Sequence, residues 1–226
     1  MAGGRRTLLF CTSYVENEGQ WRVRARRWLD YHLGVPLERD AIFIIDDASP
    51  YLAPDPDLRV IDAIPAALDP GPAAWLYRFA QREGRTGMKG HRGWWRSFLH
   101  SLAIARALDF TRIVHVESDA YLLSRKIVDH VNALDAGWTA FWCPMYDFPE
   151  PALQVICADQ FDAMAAVAAR GLDQLTQGIA ERTLPFTNVE RSFAGNRYGE
   201  RGPRIPGYAD YACQVHYPEM VVRYRG

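Results

Sequence analysis

The sequence predicts an α/β protein with a mostly parallel central sheet covered by helices on both faces. Two observations carry this prediction. Short apolar runs alternate along the chain with segments whose apolar residues recur at helical spacing. The runs themselves are largely apolar rather than alternating, as in AIFII, which is the pattern of strands buried on both sides.

TLLFCTSY (7–14) is an apolar run that breaks into hydroxyl residues, a buried strand followed by a loop. From Gln20 to Leu33 the period becomes helical, with Trp21, Ala25, Trp28, Leu29 and His32 on one side and Gly34 as the expected stop. Its other face carries Arg22, Arg24, Arg26 and Arg27, which reads as a solvated helix face. AIFII (41–45) is a second strand, and LRVID (58–62) a weaker third. Residues 63–90 are rich in Pro, Gly and Ala and show no period; connections of that length are usually functional or mobile. A helix follows from Trp94 to Leu108, then a strand over 112–117. Ser124 is placed to cap a helix carrying Ile127, Val128, Val131 and Leu134. TAFWCPM (139–145) and LQVICA (153–158) read as strands. Asp159 is the expected cap of an alanine-rich helix ending at Gly171, and MVVRYR (220–225) is a last strand-like piece.

Composition narrows the function classes. The 226 residues suffice for one sizeable core or two small ones, and the formal net charge of −1 gives no global signal for nucleic-acid binding. Cys11, Cys143, Cys157 and Cys213 form no C-x-x-C pair, so they are expected to be buried, reduced thiols rather than zinc ligands. No segment approaches the roughly 20 apolar residues of a membrane span, and the apolar run after Arg5-Arg6 is too short for a signal peptide. A soluble, cytoplasmic protein is the expectation.

In a parallel sheet, ligands bind outside the carboxyl ends of the strands. Three strand ends here carry polar groups: Thr12-Ser13-Tyr14, Asp46-Asp47 and Glu117-Ser118-Asp119. They are expected to converge on one rim. An E-x-D pair suits a hard divalent cation such as Mn²⁺ or Mg²⁺ held through oxygen, although an exposed turn or a helix cap at Asp119 would use the same residues. Asp46 and Asp47 suit a ribose hydroxyl or a base edge. GMKGHRGWW (87–95) sets Lys89, His91 and Arg92 among glycines before a helix, an arrangement able to meet a diphosphate. It is not a P-loop, and no G-x-G-x-x-G follows the first strand.

Taken in order, FCTSYVEN, IFIIDDASP, KGHRGWWRSFLHSLAIARALDF and IVHVESDAY resemble the GT-A fold glycosyltransferases, over about residues 7–125. The resemblance implies a single domain, with a nucleotide-sugar half to about residue 125 and an acceptor half beyond it. It implies a nucleotide-diphosphate sugar donor, a carbohydrate acceptor and a role such as bacterial surface polysaccharide synthesis. Thr12, Ser13, Tyr14 and Asp46 or Asp47 would line the nucleotide pocket, with His91 and Arg92 near the ribose or diphosphate and Ser118 between the acids. Asp119 would ligate Mn²⁺ or Mg²⁺, helped by His216. Glu117 stands where the family pattern has aspartate. Two rivals differ from this reading: a sugar-nucleotide pyrophosphorylase, which would carry a Gly-rich loop after its first strand, and a non-catalytic nucleotide-sugar-binding protein.

Sugar transfer leaves a nucleoside diphosphate with growing negative charge, and an inverting enzyme also needs a carboxylate to take the acceptor's proton. Glu150, Glu190 and Asp210 are the candidates for that carboxylate, with Glu190 favoured. The aromatic residues Trp142, Tyr146, Phe148, Phe193, Tyr198 and Tyr208 mark the acceptor side.

Overall fold

The structure is a computed structural model and describes residues 4–87 and 90–226. In the first half, β1 (Thr7–Ser13) leads through α1 (Glu18–Gln20), a π-helical stretch (Trp21–Arg26) and α2 (Arg27–Gly34) to β2 (Ala41–Asp46). β3 (Leu58–Ile61), β4 (Ala74–Arg78), α3 (Arg92–Ala107), β5 (Arg112–Val116) and β6 (Tyr121–Leu122) follow. The second half contains α4 (Arg125–Ala133), β7 (Trp138–Cys143), β8 (Phe148–Cys157), α5 (Phe161–Ala169), α6 (Gly171–Leu175) and α7 (Ala180–Thr183). It closes with β9 (Asn188–Glu190), β10 (Gly195–Asn196) and β11 (Tyr211–Ala212).

The fold is α/β, with an eight-stranded, mostly parallel sheet in the order β3-β4-β2-β1-β5-β8-β7-β9. The five strands from β3 to β5 are mutually parallel. β8 runs antiparallel to both β5 and β7. A small second sheet, β10-β11-β6, sits beside the carboxyl end of β5. Both faces of the large sheet are covered, as the apolar runs predict. Alternate residues of β1 divide between the two sides: Leu8 and Phe10 pack with Trp95, Phe98 and Leu102 of α3 and Met164 of α5. Leu9 and Cys11 pack with Trp28 and Leu29 of α2 and Ile127 and Val131 of α4. Ser124 caps α4, accepting the Ile127 N–H at 3.4 Å.

Several local expectations are corrected. β4 lies inside the stretch that showed no period; its five residues pair with β2 and β3 on either side. β8 begins at Phe148 rather than 153 and includes the proline-flanked Glu150. Asp159 caps no helix. Its carboxylate accepts the N–H of Gly137 at 3.0 Å, where the chain turns through φ +86°. Gly171 starts α6 instead of ending the preceding helix. Residues 220–225 make one isolated bridge, Ser124 to Arg225, and no strand.

The arginine face of the first helical segment is also not a solvated one. Arg26 binds Asp55 at 2.8 Å and Asp57 at 2.9 Å, and also contacts Asp30. Arg27 donates to the carbonyls of Val215, Tyr217 (3.0 Å) and Met220 (3.5 Å), while Arg24 reaches Asp119. Arg22 alone of the four stays in solvent, its side chain 73% exposed.

Candidate functional site

Strand register brings the polar strand ends together. β1 and β2 pair so that Ser13 stands opposite Asp46. β1 and β5 pair with Phe10 opposite His115, so two residues further on Thr12 is level with Glu117. Thr12 Oγ1 lies 2.8 and 2.9 Å from the two Glu117 oxygens. A cavity of about 800 Å³ opens above this rim, and Thr12, Ser13, Tyr14, Asp47, His91, Glu117, Ser118, Asp119 and His216 all line it. His216 arrives from the far end of the chain because the Val215 N–H donates to the Asp119 carbonyl at 2.9 Å.

Glu117 is buried and heavily hydrogen-bonded. Its Oε1 accepts from His115 Nε2 at 2.9 Å, from Thr12 and from the Trp94 indole N–H. Burial alone would push its pKa up, but the His115 ring and the hydrogen bonds from His115, Thr12 and Trp94 outweigh it, and the carboxyl titrates below its ordinary range. Asp119 is 5% exposed, and its Oδ2 accepts from Arg24 Nη2 at 2.8 Å. That carboxylate raises the arginine's own pKa.

Mg²⁺, and Mn²⁺ likewise, takes one or two protein carboxylates and completes a near-octahedral shell with water and substrate phosphate, so the test is whether carboxylate oxygens here are free to receive it. Among the described residues, no group of three or more His, Cys, Asp or Glu is placed to hold a metal ion. His115 and Trp94 occupy Glu117 Oε1, Thr12 shares its one hydroxyl proton between the two Glu117 oxygens, and a guanidinium stands on Asp119 Oδ2, so the acids as arranged are a poor fit for a divalent cation.

The remaining predicted residues have other surroundings. Asp46 is 2% exposed and does not line the cavity. It accepts the Ser49 N–H at 2.8 Å and the Ser49 hydroxyl, closing the turn after β2, and burial raises its pKa. Asp47 does line the cavity and fastens it, accepting from Gly84 N–H at 2.8 Å and from Arg96. Arg92 points away to Glu83 (2.9 Å) and Asp173. Glu190 and Asp210 both lie outside the cavity. Glu190 sits on the edge strand β9 with His130 Nε2 at 3.5 Å. Asp210 accepts from Ser124 at 2.5 Å and from the Ala194 N–H at 2.8 Å, joining β11 to the start of α4. Lys89 lies outside the described residues.

The wall facing the acidic rim is built from β8, α7 and the segment after β10. Arg197 holds Glu150 with two bonds, at 2.6 and 3.0 Å, and Glu181 with one at 2.8 Å. Both oxygens of the fully buried Glu150 are engaged, and burial raises its pKa. Glu181 contributes one oxygen to Arg197. A third side is the loop after β4, where Arg82 and Arg85 line the cavity and Arg82 lies 3.7 Å from the Tyr14 ring centroid.

Arg24, Arg82, Arg85, Trp94, Glu181 and Arg197 therefore belong to a site that sequence reasoning did not assign to them. Arg24 did carry a signal. It lies three residues after Trp21 and four before Trp28, at the border of the buried stripe rather than on the opposite face.

No known family matches the chain by sequence, and no curated protein does. Among solved structures, the crystal structure of a glycosyltransferase involved in the glycosylation of the major capsid of PBCV-1 aligns with 95% of this chain and 95% of its own, at 9% identity and a TM-score of 0.48. Among the described residues, no helix is long and apolar enough to cross a membrane.

Proposed function

We propose that this chain is a glycosyltransferase that moves a sugar from a nucleotide-diphosphate donor to an acceptor hydroxyl. The observation that carries the reading is the cavity of about 800 Å³ at the carboxyl ends of β1 and β5, lined by hydroxyls, carboxylates and arginines. An open parallel sheet binds ligands at this place, where neighbouring strands connect in opposite directions. The volume matches a small-molecule site rather than a macromolecular groove.

In this reading the donor lies along the rim of β1, with the nucleoside against Tyr14, Arg82 and Asp47. The diphosphate leaving group meets Arg24 and the loop carrying Arg82 and Arg85, whose fixed positive charge stabilises it as the sugar bond breaks. The acceptor enters against the opposite wall. Glu181, which has one oxygen outside its bond to Arg197, takes the acceptor's proton; Arg197 and Glu150 hold it in place. A pathway in surface polysaccharide assembly is the corresponding setting.

The test is release of nucleoside diphosphate from a panel of nucleotide sugars, with sugar acceptors present. Turnover that Glu181→Gln removes while leaving donor binding intact supports the reading. A second reading, a non-catalytic nucleotide-sugar-binding protein, is favoured by the engagement of both wall acids by Arg197. Donor binding with no turnover on any acceptor selects it. Failure of every nucleotide and nucleotide sugar to bind removes both.

A further inference from the structure

We propose that the cavity takes its nucleoside diphosphate without a divalent cation, the positive charge being supplied by the chain's own arginines. This rests on the nucleotide-sugar reading above and gives it a specific electrostatic mechanism. The acidic strand end, which by pattern would seat a metal, is already committed. Glu117 Oε1 is taken by His115, Thr12 and Trp94. Asp119 Oδ2 is taken by Arg24 at 2.8 Å. A dication placed on Asp119 would sit against a guanidinium of like charge, and guanidinium cannot be deprotonated to relieve the repulsion.

The arginine that displaces the metal is also able to do its work. Arg24 lines the cavity and uses Nη2 on Asp119, while its buried Nε has no hydrogen-bond partner among the described residues. A guanidinium carries five N–H donors in a planar fork, so donors remain for a phosphate oxygen. Across the cavity, Arg82 and Arg85 are exposed and have no carboxylate partner among the described residues. The other cavity-wall guanidinium, Arg197, is held by Glu150 and Glu181 and brings no spare charge. Unpaired positive charge therefore stands on the loop after β4, and Arg24 adds free N–H donors at the rim; these two places flank a diphosphate lying along β1.

Calorimetric titration with UDP and with GDP, in EDTA and separately in excess Mn²⁺, tests this. The expected result is one affinity in both buffers, and a loss of roughly tenfold or more in Arg24→Ala, partly restored in Arg24→Lys. Circular dichroism establishes that the variants fold. If Arg24→Ala does not fold, the exposed double variant Arg82→Ala/Arg85→Ala replaces it, and an unchanged affinity there overturns the proposal. Affinity that rises tenfold or more with Mn²⁺ and is lost in EDTA also overturns it, while leaving the nucleotide reading in place. Absence of binding by either nucleotide in both buffers overturns the nucleotide reading and this proposal with it.

Discussion

Single residues set the shape of the rim. At Gly93 an added Cβ would sit 2.0 Å from Asp47 Oδ2, so glycine is what allows α3 to start against that carboxylate. Gly93→Ala is expected to cost about 1–3 kcal/mol, read from urea denaturation, and Asp47→Ala in the same chain should recover part of the loss because it removes the clashing atom. His32 makes a different kind of prediction. It is fully buried, Nδ1 bonds to the Trp28 carbonyl at 2.9 Å, and Nε2 has no partner among the described residues. Burial holds its pKa down at about 3, with Arg39 nearby acting in the same direction. A histidine depressed in the folded state binds its proton more readily when unfolded. Its contribution is therefore intact at neutral pH and is lost as pH falls from about 6.5 toward 3. Denaturation series from pH 7 to pH 5 should show stability falling, with up to about 1.4 kcal/mol per pH unit from this proton. His32→Leu should remove that part of the slope; an unchanged slope would refute the assignment.

At the scale of elements, the helical segment from Glu18 to Gly34 does more than cover the sheet. Its π-helical stretch spaces the arginines so that Arg24 reaches the end of β5 while Arg27 reaches the chain beyond β11. Arg27 gathers three carbonyls of the 215–220 segment, which holds His216 at the cavity. Arg27→Met keeps the aliphatic stem and removes the bonds. It should cost on the order of 2–3 kcal/mol and speed amide hydrogen exchange across residues 213–220, where unchanged protection would show that the segment is held by other contacts. Element by element, helices were legible because their apolar stripes repeat locally, as at Trp95, Phe98, Leu102 and Ala105. β4 was not, because a five-residue strand, apolar only from Ala74 to Tyr77, has no period of its own and draws its identity from its two neighbours.

For the whole molecule, one sheet crosses from the first half to the second through β5 and β8, so the cavity draws its walls from both halves of the chain. The same continuity buries all four thiols. Burial raises the pKa of each, with Cys157 pushed up to about 11. Because the thiolate is the reactive form, a disulfide-exchange reagent should label none of them at the rate seen in denaturant, and all four once the chain unfolds. A thiol that reacts quickly in the native protein would locate an opening that the packing does not show.

The sequence by itself determined the fold class, the strands that alternate with helices and the polar strand ends at Thr12, Asp47 and Glu117. These follow from patterns within a few residues, where side-chain spacing decides which face is buried. Tertiary structure alone decided what those polar groups meet. Arg24 and Asp119 are 95 positions apart, and Arg197 and Glu150 are 47 apart. Such pairs depend on sheet order, on the reversal of β8 and on the register of β1 with β5. The acidic pair had the spacing of a cation site. Its partners, set by that long-range geometry, are hydrogen-bond donors on Glu117 and a guanidinium on Asp119.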